Sequence, residues 1–113
     1  MRFDYGALLH SYVGDPPEWM VRPHAHHIIY KRGLGLEQRR LSKRGQEILR
    51  HYGIDPIKGP ENLVWAPNIK GLHTAENLRK IVDELDAAHK NGTTKKDITK
   101  ILKKYGEIAG NWS

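Results

Sequence analysis

Three of the seven histidines stand within four positions, in His24-Ala25-His26-His27. One histidine alone is usually a satisfied surface or core residue. Three so close suggest shared work on an ion or a proton. Successive side chains of an extended strand point to opposite sides, so His24 and His26 would face one way and His27 the other. One imidazole could then bind a metal while its neighbour faces a substrate. The bland alternative is a surface cluster. A tag remnant does not fit, because the cluster is internal and runs into the apolar pair Ile28-Ile29. A second group is His73-Thr74-Ala75-Glu76-Asn77. His73 and Asn77 are four apart at the mouth of a helix and share its face, so an imidazole and an amide oxygen could reach one divalent ion. Asn77 could equally be an ordinary polar residue of a first turn. Together the two segments would supply three neutral ligands and leave positions for water and a phosphate oxygen. His24 is the rival ligand, since it shares a strand face with His26.

The rest of the composition narrows the chemistry. Cysteine is absent from the 113 residues, which excludes disulfides, zinc–thiolate sites and a thiol nucleophile. Any metal must be held by His, Asn, Asp or Glu. No stretch approaches the roughly 18–20 apolar residues of a membrane span, and the start, Met1 to Tyr12, is too polar for a secretory signal. The chain could still be a domain of a larger exported protein. The formal charge is +6, and it is uneven. Residues 22–50 hold eight basic side chains (Arg22, Lys31, Arg32, Arg39, Arg40, Lys43, Arg44, Arg50) against Glu37 and Glu47, which is the whole excess. Such a block suits a polyanion, most simply nucleic acid, though a solvated charged face gives the same pattern. The basic block is not interleaved with aromatics, which argues against a stacking platform for single strands.

These groups need positioning elements. Residues 1–23 read as irregular, with a turn at Gly14-Asp15-Pro16-Pro17. Residues 26–30 read as a strand and residues 31–41 as loop. Ser42 would cap a helix over about 43–52, weakened by Gly45 by about 1 kcal/mol relative to Ala and stopped by Gly53. After turns over 53–61, residues 62–66 read as a second strand ended by Pro67. Thr74 would cap a helix over about 75–90 with the stripe Leu78, Ile81, Val82, Leu85 and Ala88. Thr94 with Asp97 resembles a capping box opening a last helix over about 95–105, with Ile98, Ile101, Leu102 and Tyr105 as its stripe. Both stripes are core. The expectation is one α+β domain over residues 1–113, mainly helical.

Ala25-His26-His27-Ile28-Ile29 resembles the signature of the AHH nucleases, a branch of the HNH/endonuclease VII superfamily. Three further blocks resemble the family in order: Ile48 to Asp55, Glu61 to Pro67, and His73 to Asn77. The match runs from about residue 24 to 90, which would be the nuclease core, followed by the 94–105 helix. The resemblance implies a ββα-metal finger around one divalent ion (Mg²⁺, Mn²⁺, Ni²⁺ or Zn²⁺). It implies His26 as a metal ligand, with His73 and Asn77 completing the shell. His27 would be the general base, and Asn62 would brace the loop and orient it. Arg22, Lys31, Arg32, Arg39, Arg40, Lys43 and Arg44 lie near these groups in sequence and could hold backbone phosphates. The implied function is a low-specificity DNA endonuclease, a toxin domain of an exported bacterial effector acting in a target cell's cytoplasm, with an acidic immunity protein as partner. An RNase using the same groups is the alternative, and so is a non-catalytic basic nucleic-acid-binding module.

Overall fold

Residues 2–113 are described by a computed structural model; Met1 lies outside them. Four helices and two strands follow in the order α1, β1, α2, β2, α3, α4. The first helix, α1 (Tyr5–Val13), falls where irregular chain was expected. It has no long apolar stripe to betray it, since only Leu9 is buried. It forms because Asp4 accepts the Ala7 N–H at 2.9 Å, an N-cap, and because Trp65 donates its indole N–H to the Gly14 carbonyl at the other end.

The strands β1 (Pro23–His27) and β2 (Leu63–Pro67) pair antiparallel, with His24 opposite Ala66 and His26 opposite Val64. The strand expected over 26–30 is thus displaced toward the N-terminus. Ile28, Ile29 and Tyr30 leave the ladder because the Asn62 side chain takes both backbone groups of Ile29. Those three side chains enter the core instead.

The second helix also departs from expectation. It runs Gly35–His51, so Ser42 is no cap but a buried residue in mid-helix. Its buried positions are Ser42, Gly45, Ile48 and Leu49, at helical spacing but half of them not apolar. Gly45 is there for room. A Cβ at that position would stand 2.9 Å from the Ile29 side chain, so α2 could not lie so close to the segment after β1.

The last two helices match their expected caps. Thr74 accepts from the Asn77 N–H at the start of α3 (Ala75–Lys90), and Thr94 from the Asp97 N–H at the start of α4 (Lys95–Gly110). Leu78, Ile81, Val82, Leu85, Ile98 and Leu102 are buried, while Ala88, Ile101 and Tyr105 pack at the margin. Helix α4 continues five residues beyond the expected Tyr105, since Gly106, where a Cβ would stand 2.8 Å from Val64, and Ala109, packed with Ala66, carry its buried face onto β2. Helix α2 packs on α3, α3 on α4, and α4 on β2. The architecture is α+β and mainly helical, and no helix among the described residues is long and apolar enough to cross a membrane.

Candidate active site and metal centre

Strand β1 alternates as extended backbone must, which sets His24 and His26 on one side. The turn before α3 brings His73 to meet them. His26 Nδ1 and His73 Nε2 are 3.0 Å apart, and one potential ligand atom from each of the three rings lies within 4.8 Å of the others. Nitrogen ligands at about 2.0–2.1 Å from one ion are separated by about 3 Å, so the His26–His73 spacing suits a shared cation.

The protonation of the cluster suits it too. Burial drives His26 down to about 3, helped by His73, His24 and His27. Burial also lowers His24, partly opposed by its bond to the Ala66 carbonyl, and it lowers His73, with His24 adding to the effect. The rings are therefore neutral at physiological pH, as metal ligation requires. His24 Nδ1 donates to the Ala66 carbonyl, its cross-strand neighbour, at 2.9 Å. That bond fixes the tautomer and leaves Nε2 an acceptor. Nε2 is buried and has no hydrogen-bond partner among the described residues. An orphaned, unprotonated nitrogen beside two others fits ligation of a divalent ion.

Asn77 holds the turn before α3 through its amide nitrogen and leaves its amide oxygen uncommitted among the described residues. Its amide nitrogen donates to the Gly71 and Leu72 carbonyls at 3.0 and 3.1 Å, tying down the turn that carries His73. It lines a cavity with His26 and Tyr105 on the α3–α4 side, whereas His24, His26, His27 and His73 share a separate cleft with Lys31 and Arg32. Tyr30 pins the same turn, its hydroxyl lying 2.9 Å from the Thr74 carbonyl.

His27 is held from another side of the fold. Its Nε2 donates to the Ile57 carbonyl at 2.9 Å, so Nδ1 is the basic nitrogen. Burial lowers its pKa, with the carbonyl bond opposing and Lys31 and His24 reinforcing. The ring is neutral near pH 7, with Nδ1 unprotonated. Tyr5 of α1 meets it edge-on, with ring centroids 4.9 Å apart. The Asn62 side chain makes no hydrogen bond to His27 among the described residues. It is wholly buried, accepts from Ile29 N at 2.8 Å and donates to the Ile29 and Pro56 carbonyls at 3.0 and 2.7 Å. It thereby joins the segment after His27 to the loop whose Ile57 carbonyl holds that ring.

The expected phosphate-binding residues divide. Lys31 and Arg32 line the histidine cleft. Arg22, Arg39, Arg40 and Lys43 are exposed, and none of them is in an ion pair among the described residues. Arg44 instead grips Asp86 of α3 through two nitrogens, at 3.0 and 2.5 Å, and so joins α2 to α3. Tyr5, Tyr30 and Gln38 were not singled out from sequence as site residues. Each acts through a contact more than 20 positions away, for which no local pattern exists.

Two short strands, a closing helix, a nest of neutral imidazoles and an adjacent imidazole held by the Ile57 carbonyl make up the candidate site. A family model described as a nuclease family of the HNH/ENDO VII superfamily with conserved AHH matches residues 12–108. The chain belongs to this AHH nuclease family. Neither the curated proteins nor the solved structures contain a match to it.

Proposed function

We propose that this chain is a divalent-metal-dependent endonuclease that hydrolyses DNA phosphodiester bonds with low sequence specificity. The observation that carries the reading is the Ile57 carbonyl on His27 Nε2, directly beside the three-imidazole cluster. His27 Nδ1 takes the proton of a water aimed at phosphorus, a role that contributes about 10²–10⁴-fold. Asn62 and Tyr5 keep that ring in place. His26 and His73 are the proposed metal ligands, with Asn77 offering its amide oxygen and His24 its free Nε2 for the remaining position. A bound divalent ion supplies charge stabilisation for the phosphate and its departing oxygen. Arg22, Lys31, Arg32, Arg39, Arg40 and Lys43 hold backbone phosphates, which gives affinity without sequence reading.

An unspecific nuclease endangers the cell that makes it. We therefore place this chain as a toxin domain of an exported bacterial effector, acting in the cytoplasm of a target cell and countered by an acidic inhibitor. The +6 charge supports such a partner, since complementary charge speeds encounter. The test is incubation of plasmid, and in parallel a structured RNA, with the protein and Mg²⁺, Mn²⁺, Ni²⁺ or Zn²⁺, with and without EDTA. Metal-dependent nicking of plasmid is expected. Cleavage of RNA alone would make it an RNase, and binding without cleavage a non-catalytic module. Growth of bacteria expressing this chain, compared with its His27→Ala form, tests the toxin role, and equal growth would refute it.

A further inference from the structure

Leu34 is the most exposed large apolar side chain among the described residues, at 81%. A lone exposed leucine is ordinary. This one lines the same cleft as His24, His26, His27 and His73. Gly33 and Gly35 flank it at φ 83° and 79°, in the left-handed region. A Cβ on Gly33 would come within 2.8 Å of Gln38, so the turn is folded hard against the start of α2. The Leu34 N–H donates to the Gln38 side-chain oxygen at 2.8 Å, and the Gln38 amide nitrogen reaches the His73 carbonyl at 3.4 Å. Glu37 beside it pairs with Arg79 of α3. One glutamine thus ties the tip of the loop to the backbone of a proposed metal ligand. The Leu34 N–H is tied down while its side chain is exposed, as is that of Leu36 two positions on.

The surroundings state what such a side chain would meet. Lys31 and Arg32 line the same cleft, and exposed Arg39, one turn along α2, donates through Nε to the Gly35 carbonyl. Cations around an apolar point match a polyanion whose interior is apolar, which is duplex DNA. Apolar wedges inserted between base steps unstack them, kink the duplex and let more backbone reach the protein. A rigid tip does this with less entropy loss than a floppy one. A leucine carries no donor or acceptor to read a base edge, so it would favour steps by deformability alone.

Resting on the nuclease reading above, we infer that Leu34 is a wedge that enters a base step of duplex DNA and exposes the adjoining phosphate to the histidine cleft. The cations on either side hold the flanking phosphates while the step opens. Pyrimidine–purine steps, the easiest to unstack, are cut preferentially.

The test compares the wild-type protein with Leu34→Ala and Leu34→Met on matched duplex and single-stranded oligonucleotides. Leu34→Ala should slow duplex cleavage about tenfold or more, given that unstacking a step costs a few kcal/mol, and leave single-strand cleavage unchanged. Leu34→Met should keep most of the duplex rate. In a His27→Ala background, a duplex with 2-aminopurine at the preferred step should brighten on binding, and it should not when Leu34 is also alanine. Unchanged thermal unfolding is expected from so exposed a site. Equal loss on both substrates, no loss at all, or brightening without Leu34 would overturn the wedge while leaving the nuclease standing. Absence of cleavage by the wild type would remove the nuclease reading. Fluorescence alone then decides the wedge, and a duplex that stays dark on binding overturns it.

Discussion

Asn62→Ala should be among the most damaging single changes in this chain. The side chain is wholly buried and makes three hydrogen bonds, all to backbone groups: Ile29 N, Ile29 O and Pro56 O. Alanine leaves those three groups without partners. Each orphaned buried polar group costs about 1–3 kcal/mol, less wherever water can enter the space vacated by the amide. A loss of about 3–5 kcal/mol follows, against a total stability of about 5–15 kcal/mol for a domain of this kind. Urea unfolding should show a lowered midpoint with an unchanged slope. Asn62→Asp keeps the acceptor for Ile29 N but loses both donors and buries a carboxylate, so it should be no milder. At a temperature where Asn62→Ala remains folded, cleavage should fall about tenfold or more, as for loss of an outer-shell orienting partner, while metal affinity holds. The reason is that Pro56 and Ile57 lose the anchor that aims His27. A destabilisation below about 1 kcal/mol, the net worth of a single hydrogen bond, would refute the three-bond account. A folded variant with full activity would refute the orienting role.

The remaining expectations are shorter. His27→Ala should lower cleavage about 10²-fold or more while leaving calorimetric metal affinity intact, whereas His73→Ala should weaken both. Removing Asn77 and His24 singly, with metal affinity measured, tells which completes the shell. Stability of the metal-free protein in EDTA should fall with acid. Folded His26 stays neutral down to about 3 while the unfolded chain takes a proton below its ordinary 6.5, so the loss begins near 6.5 and deepens as pH falls. Each fully shifted histidine contributes at most about 1.4 kcal/mol per pH unit, and flat stability between pH 6.5 and 4.5 would contradict the burial. Gly45→Ala should destabilise by about 1–3 kcal/mol through overpacking against Ile29, despite alanine's better helix propensity; a stabilised variant in thermal melts would contradict that packing. Binding of a His27→Ala form to duplex DNA should weaken with salt by about 0.9 log units per log unit for each phosphate held. Replacing Arg39 and Arg40 should reduce that slope alike for unrelated sequences, and a salt-independent affinity would remove the basic block from the site.

Much of this molecule is local and could be read from the chain. Helices α3 and α4 announce themselves because a threonine cap, an apolar stripe at helical spacing and a closing polar turn all lie within one segment. The β2 strand and the AHH signature are likewise written in adjacent residues, and alternation alone sets His24 and His26 together against His27. The charge that suits a polyanion needs no fold at all. Tertiary structure decided the rest, for one recurring reason: the partner is distant. Helix α2 buries a glycine because Ile29 presses against it, and a serine one turn earlier, so its buried face does not read as an apolar stripe. Strand β1 ends at His27 because an asparagine 33 positions further on captures Ile29. Arg44 looks like the other cations until Asp86 claims it. His24 became a member of the histidine nest, with a nitrogen left free, only when Ala66 took its other one and the turn before α3 delivered His73. Sequence supplies the chemical groups and their local geometry; which of them meet depends on how the core closes between residues that no short pattern connects.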